Sequence, residues 1–219
     1  MPESELLTVP SGEISLRSDG LGDAPVDLIL APGAGAGMDH SFMATVATAI
    51  AAQGFRVWRF NFLYQERGRK SPDKNQVLEE TYRAIVDHVG DRGAETVVAG
   101  GKSMGGRIAS QIAASGAPID GLVFHGYPLH PPGRPDRMRD AHLRDITVPM
   151  LFVEGTRDPF CPLETLEKVR ADLSAPNDLV VIDGGDHSFK LRASSGRTTK
   201  EAIETVVQAT ADWIRRRYL

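Results

Sequence analysis

Three short glycine-flanked stretches hold the residue types that could do chemistry together: the serine of Gly101-Lys102-Ser103-Met104-Gly105, the aspartate of Gly155-Thr156-Arg157-Asp158-Pro159 and the histidine of Gly184-Gly185-Asp186-His187-Ser188. The first also contains Gly-Lys-Ser, a fragment of a phosphate-binding loop. Such a loop needs glycine four residues before its Gly-Lys pair, and position 96 is Thr96, so no backbone cradle for phosphates is available. Gly-x-Ser-x-Gly fits instead a sharp turn from strand to helix that exposes a serine hydroxyl at a sheet edge. "TVVAGG" before it reads as a strand and "GRIASQIAASG" after it as a helix of small residues. Gly101, Gly105 and Gly106 suit such a turn, which brings two backbones close together.

A serine hydroxyl is a weak nucleophile at neutral pH and needs a base, itself oriented by an acid. In an elbow of this kind the chain order is serine, acid, histidine. His40 and His88 precede Ser103, and His125, His130 and His142 precede the best acid, which leaves His187 as the base. Asp158 is the predicted acid, just past a strand and followed by Pro159, which fixes a turn-like path. Glu154 sits too far back on that strand, Asp186 adjoins His187 and points elsewhere, and Asp183 is the reserve candidate. Negative charge developing on a substrate oxygen needs donors. The N–H of Met104 is one, and the N–H of Ala34, in the loop Gly33-Ala34-Gly35-Ala36-Gly37, is the second. That loop is not a dinucleotide fingerprint, because Met38 stands where its last glycine belongs.

The elements that must position these groups are visible as six apolar runs: "VDLILAPG", "FRVWRFNF", "TVVAGG", "GLVFHG", "PMLFVEG" and "LVVIDGG". Continuous apolar runs of this length predict parallel strands buried on both faces. Between them lie helical periods, such as Leu78, Tyr82, Ile85 and Val89. The last helix carries Ile203, Val206, Val207, Trp213 and Ile214, and places Arg215 to Arg217 at its negative end. The alternation predicts an α/β fold, a doubly wound, mostly parallel sheet flanked by helices. "LLTV" and "EISLRS" around Pro10-Ser11-Gly12 predict an N-terminal antiparallel β-hairpin. No internal repeat or linker divides the chain, so residues 1–219 are expected to form one domain without a large lid. The irregular stretches Gln65 to Asn75 and His130 to His142 follow strand ends, where open α/β sheets bind ligands, and are the expected seat of specificity.

Composition narrows the class further. With 41% hydrophobic and 25% charged residues and a net charge of −4, the chain reads as folded and soluble, with no basic face for nucleic acid. No apolar stretch is long enough for a membrane span, and "MPESELLTVP" lacks the form of a secretory signal. The lone Cys161 suits a reducing cytoplasm and reads as a small structural residue; no metal-site spacing is present, so neither metal nor cofactor is expected. Lys102 and Arg107, flanking the serine, are expected to be solvated, paired with acids or in touch with substrate.

Through "GGKSMGGR", "EGTRDPF" and "GGDHSF", in that order, the sequence resembles the α/β-hydrolase superfamily. With "LAPGAGAGMDHSFM" it is similar, more narrowly, to small lidless, dienelactone-hydrolase-like proteins related to testis-expressed protein thirty and to subunit three of the NSL chromatin complex. The resemblance spans nearly the whole chain from Val26 onward. It implies an eight-stranded, mostly parallel sheet and a Ser103-Asp158-His187 triad. One departure is Pro32, which occupies the place of the histidine in the His-Gly loop of many superfamily members. The expected activity is cofactor-free hydrolysis of carboxylic esters of small, short-acyl substrates through an acyl-enzyme on Ser103. Thioester or lactone hydrolysis with the same triad, or a hydrolase fold kept as a non-catalytic interaction module, are the alternatives.

Overall fold

In the computed structural model, which describes residues 3–219, each of the six apolar runs holds one strand. These are β3 (Asp27–Ala31), β4 (Arg56–Phe60), β5 (Val97–Lys102), β6 (Gly121–His125), β7 (Met150–Gly155) and β8 (Asn177–Ile182). The predicted hairpin is present as β1 (Glu3–Val9) and β2 (Gly12–Asp19). Together they form an eight-stranded sheet in the order β1-β2-β4-β3-β5-β6-β7-β8. β2 is antiparallel to both β1 and β4, and every pairing from β4 to β8 is parallel. The helices are α1 (Ser41–Ala51), α2 (Leu63–Glu66), α3 (Asn75–Asp91), α4 (Met104–Ala114), α5 (Leu163–Ala171) and α6 (Thr199–Tyr218).

Strand residues alternate between two cores, as the twofold period of a strand requires. Ile29, Ala99, Leu122 and Met150 lie side by side across four strands, facing α3, α4 and α5. Leu28, Val98, Val123 and Leu151 face α1 and α6. α3 buries Leu78, Tyr82, Ile85 and Val89 on its expected face. α6 starts at a capping box between Thr198 and Glu201 and buries Val206, Val207, Trp213 and Ile214, while Ile203 packs at the edge of the core. Its terminal arginines do more than complement the helix dipole: Arg217 reaches Asp178 of β8 at 3.0 Å and Arg215 the carbonyl of Gln53 at 3.1 Å.

Two expectations shift. β8 was read as buried on both faces, yet it is an edge strand whose residues are mostly half-exposed, with Val181 41% exposed. An apolar run does not by itself reveal whether a strand has one neighbour or two. The stretch from Gln65 to Asn75 begins inside α2, a four-residue helix too short to show a period. Between β6 and β7 the only regular element is a single 3₁₀ turn at Ala141–Asp145, so no large lid covers the sheet edge. Among the described residues no helix is long and apolar enough to cross a membrane.

The polar handle of Tyr82 is a second function for a residue that the helical period marks only as core. Its hydroxyl accepts the Gly100 N–H at 2.8 Å and stands 2.7 Å from the Gly100 carbonyl and 3.1 Å from that of Ile29. It thereby satisfies backbone groups of β5 just before the serine turn. Burial drives the phenol pKa far above its ordinary range, so the hydroxyl keeps its proton and can donate. Tyr82→Phe strands a buried N–H, and we expect a loss of about 1–3 kcal/mol in urea unfolding; an unchanged midpoint would refute this role.

Candidate active site

The turn from β5 into α4 places Ser103 at φ +51°, ψ −113°, a region that non-glycine residues occupy only under constraint. Its N–H donates to the His125 carbonyl at 3.1 Å and its own carbonyl accepts from Arg107 at 3.1 Å. Neighbouring β3 leaves no room for side chains on either side. A Cβ at Gly101, where φ is +154°, would lie 2.3 Å from the Ala31 carbonyl oxygen, and one at Gly105 would lie 2.2 Å from it. The Gly-x-Ser-x-Gly spacing therefore has a steric cause at both glycines.

The three side chains singled out in the sequence meet at the carboxyl edge of the sheet. His187 Nε2 lies 2.8 Å from Ser103 Oγ, and His187 Nδ1 lies 2.6 Å from Asp158 Oδ2. The Asp158 side chain is fully buried, while that of His187 retains 21% exposure. Asp158 Oδ1 also accepts the Phe160 N–H at 2.8 Å, and the Phe160 ring stands edge-on to the imidazole at 4.6 Å. The loops carrying the acid and the base are stitched together: Arg157 N–H donates to the Gly185 carbonyl at 2.8 Å, and Gly184 N–H to Thr156 Oγ1 at 2.8 Å. The other acids are occupied elsewhere. Asp186 Oδ1 accepts the N–H groups of Ser188 and Lys190, Asp183 accepts the Thr156 hydroxyl at 3.4 Å, and Glu154 is fully buried at the end of β7, where Oε1 accepts the Tyr127 N–H.

A cavity of about 770 Å³ opens over Ser103, bordered by Ala34, Met104 and His187. The loop after β3 is fixed by Gly35 N–H donating to Tyr64 Oη at 3.1 Å and Met38 N–H to Asn61 Oδ1 at 2.8 Å. The N–H groups of Ala34 and Met104 have no acceptor among the described residues. Both residues border the cavity, and Met104 begins α4, whose positive dipole end lies there. Among the described residues no group of three or more His, Cys, Asp or Glu side chains is gathered to hold a metal ion.

The family described as "Alpha/beta hydrolase domain" matches residues 24–215. The chain belongs to that family. Solved structures agree on the fold. An alpha-beta serine hydrolase homologue from Coxiella burnetii is 22% identical, with a TM-score of 0.75 over 94% of this chain and 96% of that one. A dienelactone hydrolase from Anabaena variabilis is 21% identical, with a TM-score of 0.77 over 100% and 98%. A lidless α/β serine hydrolase from Xanthomonas campestris is 22% identical, with a TM-score of 0.75 over 97% and 94%.

Beneath the site, this alpha/beta hydrolase carries buried charge that sequence reasoning did not find. Lys102 is neither solvated nor hydrogen-bonded to an acid: its stem borders the cavity while Nζ is buried without a hydrogen-bond partner among the described residues, 5.5 Å from the centre of the Phe189 ring. Burial lowers its pKa to about 8, against the opposing pull of Glu154, Asp158 and Asp186. Glu154 is pushed well above the carboxylate range, first by burial and then by the charge of Asp158. Burial likewise holds Cys161 as the protonated thiol, which accords with a structural role. His125, bonded through Nε2 to Thr210 Oγ1 at 2.9 Å, is pushed down to about 3 by burial and by the charge of Lys102, and is neutral.

A lysine whose pKa falls on folding costs stability wherever the folded protein must charge it. That cost is complete below about pH 8 and disappears as pH rises toward the ordinary lysine value of 10.5. Lys102→Met should therefore unfold at higher urea concentration than the parent at pH 7, with the advantage shrinking between pH 8 and pH 10.5. An advantage that grows over that interval would contradict the assignment.

Proposed function

We propose that the protein is a serine hydrolase that cleaves carboxylic esters of small substrates through an acyl-enzyme on Ser103. The observation that carries this reading is the continuous hydrogen-bonded line Ser103 Oγ–His187 Nε2, His187 Nδ1–Asp158 Oδ2, opening on a cavity with two free backbone N–H groups. Ser103 Oγ attacks the ester carbonyl as His187 Nε2 takes its proton. Asp158 holds Nδ1–H and stabilises the imidazolium that results. The carbonyl oxygen, now negative, is received by Ala34 N–H and Met104 N–H at the positive end of α4. When the tetrahedral intermediate collapses, the bond to the alkoxy oxygen breaks and His187 returns the proton to it, releasing the alcohol. Water then attacks the acyl carbonyl, giving its proton to His187; collapse of the second intermediate frees the acid and restores Ser103.

A nucleophile, a base and an oxyanion pocket are all that acyl transfer from an ester to water requires, and the line from Ser103 to Asp158 supports that reading. A lactone is an ester closed into a ring, and the fold shared with a dienelactone hydrolase makes lactones a natural member of the test panel beside acyl thioesters.

A fluorophosphonate should label Ser103 in the folded protein and not in Ser103→Ala. That variant should lose about a thousandfold or more in ester turnover. Full activity in Ser103→Ala would remove the mechanism. No labelling and no turnover on esters, thioesters or lactones would favour a hydrolase fold used as a binding module.

A further inference from the structure

We propose that the cavity over Ser103 recognises a carboxylate on its ester substrate, and that Arg107 and Arg139 hold it. The proposal rests on the esterase reading and names the substrate class within it.

Both arginines line the same cavity as Ser103 and His187. Arg107 lies one turn along α4 from Ser103, its N–H bonded to the Ser103 carbonyl at 3.1 Å, so its side chain leaves the helix on the face of the nucleophile. Arg139 comes from the stretch 130–142 expected to set specificity. Its backbone is pinned there, with its N–H donating to the Leu129 carbonyl at 2.7 Å and its carbonyl accepting from Tyr127 Oη at 3.0 Å.

Two arginines with little exposure meet carboxylates elsewhere in the molecule. Arg59, 3% exposed, is 2.8 Å from Asp19 and 3.3 Å from Asp39, and Arg56 holds both oxygens of Asp27. Arg107 and Arg139 meet no carboxylate within ion-pair distance among the described residues. Arg107 uses only Nη1, toward the neutral oxygens of Asn75 at 3.1 Å and Gln111 at 3.0 Å, and its Nε is buried with no partner among the described residues. Arg139 makes no side-chain hydrogen bond or ion pair among the described residues. The two guanidiniums also act on each other: burial and then the charge of Arg139 lower the pKa of Arg107. Glu79 acts on Arg107 only from beyond ion-pair distance, its Oε1 being bound to Asn75, and Asp73, which also borders the cavity, is paired with Arg69.

A buried guanidinium Nε without a partner, on a cavity bordered by a second unpaired guanidinium, is costly unless an anion completes them. A planar carboxylate matches the guanidinium fork and would relieve the repulsion. Asp73, which borders the same cavity and whose Oδ2 is buried without a partner among the described residues, opposes any anion there, a doubly charged phosphate more than a carboxylate. Ser103 and Arg107 are one turn of α4 apart, about 5.4 Å along its axis, and both line the cavity, so one small substrate can present an ester to the first and a carboxylate to the second.

The test has two arms. In the first, calorimetry measures binding of monomethyl adipate and neutral dimethyl adipate to Ser103→Ala, alone and combined with Arg107→Gln, Arg107→Lys or Arg139→Gln. The monoanion should bind about tenfold or more tightly, as expected for a charge-assisted pair. The preference should vanish in either glutamine variant and partly return with lysine. In the second, the parent protein hydrolyses aryl hemiadipate and aryl hexanoate, and the ratio of kcat/KM should favour the hemiadipate and fall toward unity in Arg107→Gln and Arg139→Gln. Equal binding of the two probes, or a preference that survives loss of both arginines, overturns the proposal. A binding preference without turnover of either ester would leave the anion site standing and overturn the esterase reading; turnover without preference would do the reverse. Arg139→Gln, on a surface stretch, keeps the test decisive if Arg107→Gln does not fold.

Discussion

The site depends on one strained residue. Ser103 stays at φ +51°, ψ −113°, at a cost of about 1–3 kcal/mol, because β3, β5 and α4 meet there with no side chain between them. The Ala31 carbonyl occupies the space that a Cβ on Gly101 or Gly105 would need. Tyr82 satisfies the backbone of Gly100 from below, and the His125 carbonyl takes the Ser103 N–H. The surroundings thus over-determine the turn, and its consequence is a hydroxyl raised clear of the sheet with the first N–H of a helix beside it.

Parallel strands then bring the remaining groups to the same edge. β7 ends next to β6 and β8 next to β7, and the loops after β7 and β8 share hydrogen bonds through Arg157, Gly185, Thr156 and Gly184. The distance between Asp158 and His187 is therefore set by backbone pairing and does not rely on the flexibility of two separate loops. The Asp158 side chain, which orients His187, is fully buried, Lys102 Nζ is buried within reach of its charge, and Arg107 and Arg139 border the open cavity. In a water-poor interior such charges act more strongly than at the surface.

Much of this was legible in the sequence because the signals were local. Apolar runs ending in glycine gave the parallel strands, the period of Leu78, Tyr82, Ile85 and Val89 gave the buried face of α3, and Gly-x-Ser-x-Gly gave a turn whose glycines are sterically required. Chain order together with position at a strand end singled out Asp158, with Asp183 in reserve, and His187; the side chains of Asp158 and His187 do converge with Ser103. What escaped depends on long-range placement. The edge position of β8, the Tyr82 hydroxyl reaching β5, the stranded Lys102 Nζ and the lack of an ion pair for Arg107 or Arg139 among the described residues follow from packing between distant segments. A lysine or arginine next to a serine looks the same in sequence whether it is solvated, paired or buried alone.

Asp158, His187 and Ser103 form one hydrogen-bonded line in the resting protein, and proton NMR of the His187 ring reads it. The Nδ1 proton should lie far downfield, protected from exchange by its bond to the buried Asp158 carboxylate, and be lost in Asp158→Asn. An ordinary, rapidly exchanging imidazole proton, unaffected by that substitution, would contradict it.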